Sequence, residues 1–269
     1  MRREGRLMAA LMVALVATGC SGRQESQGNQ HHGPYELETS GNERLLIVYA
    51  YGGMTAANYR WAPEEAAFSL YGDGLVIQGC SLDESNPSLL PCLNEAHVSP
   101  DEIQRIISAA DEAGLLSDRK FDDYLWTDDQ TTVFGTTVGG STHWVEAYAL
   151  DPRYPSKNED VKIARQRLIV FRAEMADLGG FLGRKVETQP YAATALRVQC
   201  NRVDAPGSVG PLRTWPLSQA PDLGGEALIL TGDDMARFMV AADGATVFTK
   251  WAVPSGYCQL SAHPLSPNE

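Results

Sequence analysis

The side chains of this chain that could perform chemistry fall in a few short stretches. In "LMAALMVALVATGCSGRQ", residues 7–24, Cys20 stands where an apolar run gives way to a polar one. In "SDRKFDDYLWTDDQ", residues 117–130, Asp122, Asp123, Asp128 and Asp129 offer hard oxygen ligands of the kind calcium takes. The same carboxylates could serve glycosidic hydrolysis if folding brought two to a working separation. The spacing does not match an EF-hand loop and Arg119 and Lys120 offset part of the charge, so a solvated surface loop is the plainer expectation. Ser141 and His143 stand two apart on a predicted strand. Same-face neighbours there are about 7 Å apart, whereas a nucleophile and its base need about 2.6–3.2 Å. No GxSxG elbow surrounds Ser141, so these residues read as polar positions of a hairpin.

Beyond Cys20, four cysteines remain: Cys80, Cys92, Cys200 and Cys258. An even number in an exported chain points to disulfides, and three pairings are possible. The neighbouring ones, Cys80 with Cys92 and Cys200 with Cys258, are expected because each pair falls within one half of the chain. There is no CxxC, which argues against a zinc ribbon or a thioredoxin-type site, and no cofactor is implied. His97 and His263 are isolated from other ligand-type residues, and the adjacent His31 and His32 sit in a polar linker. In the turn-rich "GGMTAANYRWAPEE", Tyr59, Arg60 and Trp61 have the composition of a partner-binding hot spot, although a loop folded back on its own sheet has the same make-up.

The address comes from residues 1–19. Arg2, Arg3 and Arg6 precede an apolar core from Leu7 to Val16, followed by small residues, the order of a secretory signal peptide too short to span a bilayer permanently. "ATGC" resembles the lipobox of bacterial lipoproteins. That resemblance implies that Cys20 gains a diacylglyceryl thioether and further acylation, palmitate among the chains, and becomes the mature N-terminus. Two or more chains anchor stably. The whole chain carries −12; residues 1–19 hold three Arg and one Glu, a net +2, which leaves −14. A chain so acidic is a poor partner for nucleic acid and is repelled by anionic headgroups, so attachment to the cell membrane must come from lipid.

The elements that position these groups follow from pattern. Residues 20–43 are polar and Gly-rich, a flexible tether of roughly 25–30 Å. "RLLIVYAY" predicts a strand over 44–51, and Gly72-Asp73-Gly74 predicts a hairpin turn. In "VSPDEIQRIISAADEAGLL", Ser99 is the N-cap, Pro100 opens the helix and Glu102 completes a capping box. Ile103, Ile106, Ile107 and Ala110 share one face, and Gly114 ends the helix. A second hairpin turns at Gly139-Gly140. "TGDDMARFMVAADG" at 231–244 matches "SPDEIQRIISAADE" at 99–112, with Met235, Phe238, Met239 and Ala242 in the phase of the first helix. "TVF" at 246–248 then matches "TVF" at 132–134, which suggests a tandem repeat. Between the halves, Val161, Ala164, Leu168, Phe171, Met175 and Leu178 predict a helix capped by Asn158, stopped by Gly179-Gly180 and packed across or between the two sheets.

The fold expected is therefore α+β: two small antiparallel sheets, each with a packed helix, joined by a longer helix. The divisions are a signal peptide (1–19), a tether (20–43), an N-terminal lobe (44–156), a connecting helix (157–185) and a C-terminal lobe (186–269). "FSLYGDGLVI", "AGLL", the "TTV" hairpin with "GGSTHWVEAYAL", "TWPL" and the closing "PLSP" resemble a group of uncharacterised actinobacterial lipoproteins. Those stretches are turns and core strands. The resemblance implies a fold and carries no reaction. The functional expectation is a lipid-anchored, non-enzymatic binding module of the cell envelope, its partner an envelope protein or wall component. The alternative is an envelope hydrolase or ion-dependent enzyme working from the 118–129 loop.

Overall fold

The computed structural model describes residues 34–38, 41–52, 67–80, 88–122, 128–154, 156–203 and 210–267. The strands are β1 (Arg44–Gly52), β2 (Phe68–Tyr71), β3 (Leu75–Gly79), β4 (Leu93–His97), β5 (Arg119–Phe121), β6 (Gln130–Val138), β7 (Ser141–Tyr148), β8 (Gln189–Pro190), β9 (Ala195–Arg202), β10 (Leu212–Thr214), β11 (Leu228–Thr231), β12 (Lys250–Val253) and β13 (Gly256–Pro264). The helices are α1 (Pro100–Glu112), α2 (Glu159–Ala176), α3 (Leu178–Leu182) and α4 (Gly232–Ala242). Two sheets result, in the orders β5-β7-β6-β1-β2-β3-β4-β8 and β10-β12-β13-β9-β11. The protein is α+β, with two sheets and their helices. Among the described residues no helix is long and apolar enough to cross a membrane.

The sheets are mixed rather than antiparallel, and the first, with eight strands, is not small. Each has one parallel pair at an edge, β5 with β7 and β10 with β12. In the first sheet α1 carries the chain from β4 to the far edge, where β5 enters alongside β7. Five strands of each sheet share one pattern of directions: a parallel edge pair, then three antiparallel steps. The connectivity differs. In the first hairpin the leading strand β6 lies inside, against β1; in the second the leading strand β12 lies outside and β13 lies against β9. Both copies of the matched string form helices, but the hairpins after them differ, because "TVF" at 132–134 is in β6 while Val247 and Phe248 form a turn before β12.

Local signals explain the first helix. Ser99 caps α1 and Glu102 closes the box, accepting from the Ser99 N–H at 2.7 Å. Ile103, Ile106, Ile107 and Ala110 are buried. α4 begins after Thr231 without a side-chain cap bond, and it buries only Phe238 and Ala242 fully. Met239 is exposed, against expectation, because Trp215 and Trp251 crowd round Phe238 at 5.3 and 5.9 Å and draw that side of α4 to the core.

The long helix belongs to the first sheet. Leu168, Phe171 and Met175 of α2, with Leu178 and Leu182 of α3, join Phe68, Phe134 and the α1 isoleucines in one core, so it does not lie between the sheets. The break falls at Asp177, whose carboxylate accepts from the Gly180 N–H at 3.0 Å. Gly179-Gly180 lie inside α3, and Gly183 at φ +71° ends it.

Several long-range contacts tie the parts together. Cys80–Cys92 and Cys200–Cys258 are disulfides, the second buried in the core of the second sheet. The first closes a loop whose Leu89 is buried in the second core, donating its N–H to the Ala245 carbonyl at 2.9 Å. Tyr191 donates to the Leu265 carbonyl at 2.9 Å. The end of the expected tether is also docked: Tyr35 exchanges two hydrogen bonds with Gln104, at 2.8 and 3.0 Å, and its hydroxyl donates to Asp111 at 2.8 Å.

Candidate functional site

The β6–β7 hairpin builds one wall of an open recess on a rigid frame. Gly139 and Gly140 have φ of +57° and +73°, the two left-handed positions of a type I′ turn. That turn sets the register 138 with 141, 137 with 142 and 135 with 144. Alternation then places Thr137, Thr142, Gly135 and Trp144 on the face away from the helices. Thr137 and Thr142 join through their hydroxyls at 2.9 Å. Gly135 is required by Trp144: a Cβ there would stand 2.6 Å from the indole Cζ3 and 2.8 Å from Cγ2 of Ile47. The indole thus lies on bare backbone, with 41% of the residue exposed. Its backbone N–H donates to Asp118 at 2.7 Å.

Beside Trp144 opens a cavity of about 280 Å³. Arg44, Tyr71 and the Thr137–Thr142 pair line it from the first sheet, Glu43 from just before β1, and Ser266 from the chain following β13. One wall therefore belongs to each half of the protein. A second cavity, about 550 Å³, lies on the helix-covered face. Its floor is the cross-strand row Val48, Phe68, Gln78 and Asn94, roofed by Arg172 and Met175. Gln78 there donates its amide N–H to the Met175 carbonyl at 2.6 Å, and Arg172 donates to the Thr132 hydroxyl at 3.3 Å.

The groups with displaced ionisation sit in structural contacts outside both cavities. Hydrogen bonds from Arg184 and from the Ser99 backbone lower Glu102 to about 2. Hydrogen bonds from Arg153 lower Asp151 to about 2. Burial, then the hydrogen bond to Asp111, raises Tyr35 to about 12.

The sites expected from sequence fare differently. Cys20, the hot-spot residues Tyr59, Arg60 and Trp61, the histidines His31 and His32, and Asp123 all lie outside the described residues. Asp122 and Asp128 are exposed, and Asp129 accepts from the Gln130 N–H at 2.7 Å. Among the described residues no three His, Cys, Asp or Glu side chains gather as a metal site would require. His143 faces Asp118 at 4.0 Å. Trp215 and Trp251 are core residues. Trp144 lines the recess. The signal for it was available, since a two-residue Gly-Gly turn with period-two strands pairs position 135 with 144. A glycine opposite a tryptophan in a strand marks a ring that needs the space.

No protein-family model, curated protein or solved structure matches the chain.

Proposed function

We propose that this protein is a lipid-anchored, extracytoplasmic binding module of the cell envelope, and that the recess beside Trp144 is where it meets its partner. The recess carries the binding part of this reading. It combines an exposed indole on a glycine-cleared strand with hydroxyl and charged groups at its rim, most of them held by paired strands. Tryptophan, tyrosine and arginine dominate binding energy at interfaces, and rigid placement lowers the entropic cost of ordering them. The anchor part rests on the lipobox-like "ATGC" and on the two disulfides, which suit an oxidising compartment.

The test uses the full lipidated protein in cells. A photo-crosslinking amino acid replaces Glu146, the next residue along the Trp144 face of β7. Light-dependent capture that disappears in a Trp144→Ala background supports the module. Capture no greater than without light, or unchanged by Trp144→Ala, overturns it. In parallel, Cys20→Ala is expected to move the protein from the membrane fraction to the soluble one; retention in the membrane would refute the anchor. The rival reading, a hydrolase or ion-dependent enzyme using the 118–129 loop, predicts instead that Asp122→Asn or Asp129→Asn abolishes activity on wall material.

A further inference from the structure

We infer, building on the binding-module reading, that the Trp144 recess takes a neutral sugar ring, of the hexose or N-acetylhexosamine class found in wall glycans. Three observations point there. First, the six-membered ring of the indole packs over Gly135, where a Cβ would meet it, and the residue stays 41% exposed. A large exposed aromatic face with a negative quadrupole is the partner for the weakly positive C–H face of a pyranose. Second, the surrounding groups match the other edges of such a ring. Thr142 brings a hydroxyl to the lining, and Glu43 and Arg44 bring a carboxylate and a guanidinium, groups that pair with hydroxyls. Third, about 280 Å³ falls just under the usual range for small-molecule sites, which suits a single ring rather than a folded peptide. Charge narrows the class. A chain at −12 over its full length, −14 without residues 1–19, repels polyanionic polymers and so favours an uncharged ring.

The site sits at a junction. Ser266 reaches it from the second half of the chain, while the other walls come from the first sheet. Sugar binding would therefore bridge the two halves and resist their separation.

The experiment titrates the purified chain with the trisaccharide of N-acetylglucosamine, with maltotriose as a second neutral probe. Saturation-transfer NMR reports on the sugar and tryptophan fluorescence on the protein. Millimolar binding is expected, weakened about tenfold or more by Trp144→Ala and less by Trp144→Phe, which keeps an aromatic face. Circular dichroism on both variants confirms the fold. Signals that are absent for both sugars, or equal in wild type and both variants, overturn the assignment. If the Glu146 crosslink captures a protein while neither sugar binds, the glycan assignment falls and the binding module stands. If neither sugar nor crosslink reports anything, both fall.

Discussion

Glu102 closes the cap of α1 and, 82 residues along the chain, also receives the guanidinium of Arg184, whose Nη2 donates to Oε2 at 2.7 Å. One carboxylate thus serves a local and a distant partner, and it fastens the segment after α3 to the start of α1. The bidentate geometry gives this pair more than the usual surface value. Glu102→Gln keeps the capping hydrogen bond but removes the charge, so it is expected to cost about 1 kcal/mol at neutral pH. The carboxylate is held at about 2, below its ordinary value of 4.5. Its stabilising contribution is therefore present above pH 4.5 and lost as pH falls through 2. Urea denaturation of both proteins should show the difference at neutral pH and its disappearance in acid. A gap that persists in strong acid would sink the assignment to charge.

Tyr35 supplies the opposite sign. Its phenol is raised to about 12 by burial and by Asp111, so the neutral form is favoured in the folded chain. The contact is intact below pH 10 and is lost as pH rises through 12. Phenolate absorbance should contain one late-titrating component that vanishes in Tyr35→Phe. An unchanged titration curve in that variant would place the residue off α1.

Trp144 and Gly135 form a testable pair. Gly135→Ala is expected to destabilise by about 1–3 kcal/mol, because the added methyl meets the indole and Ile47. Trp144→Ala in the same chain should recover part of that loss, with Ile47 accounting for the remainder. A double-mutant cycle by chemical denaturation reads the coupling. Strict additivity would mean that the ring lies elsewhere.

Leu89 is the clearest bond between the two cores. Leu89→Ala removes a buried side chain and is expected to cost about 2–5 kcal/mol. Because Leu89 is held by the Cys80–Cys92 loop, its loss should also separate unfolding of the two sheets. Fluorescence of Trp215 and Trp251 would then melt apart from far-ultraviolet dichroism. Coincident transitions at the wild-type midpoint would refute this coupling.

The two disulfides should differ in weight. The chain-entropy model gives about 3 kcal/mol for the loop across 12 positions and about 4 kcal/mol for the one across 58. Replacing Cys200 and Cys258 by Ser should therefore lower stability more than replacing Cys80 and Cys92, especially as the former pair is fully buried. The reverse order in denaturation midpoints would show that the link carried by Leu89 outweighs loop entropy.

Sequence alone determined the features whose causes lie within a few residues. Ser99, Pro100 and Glu102 specify where α1 starts, because a cap needs only the N–H groups of its own first turn. Gly72-Asp73-Gly74 and Gly139-Gly140 specify two hairpins, and strand alternation from the second turn specifies the Gly135–Trp144 pairing. Cysteine parity specified that bonds form, and neighbourhood along the chain matched the partners found. Only the tertiary structure decided which apolar faces meet. α2 could have bridged the sheets as readily as lie on one, and nothing near Leu89 announced that it would enter the second core. The order of strands within each hairpin, the docking of Tyr35 on α1 and the arrival of Ser266 beside Trp144 are likewise sums of burial over distant segments. Such sums leave no mark on the local pattern. The candidate site is legible only in part for that reason: its turn, glycine and tryptophan are written within ten residues, while its remaining walls are brought from the rest of the chain.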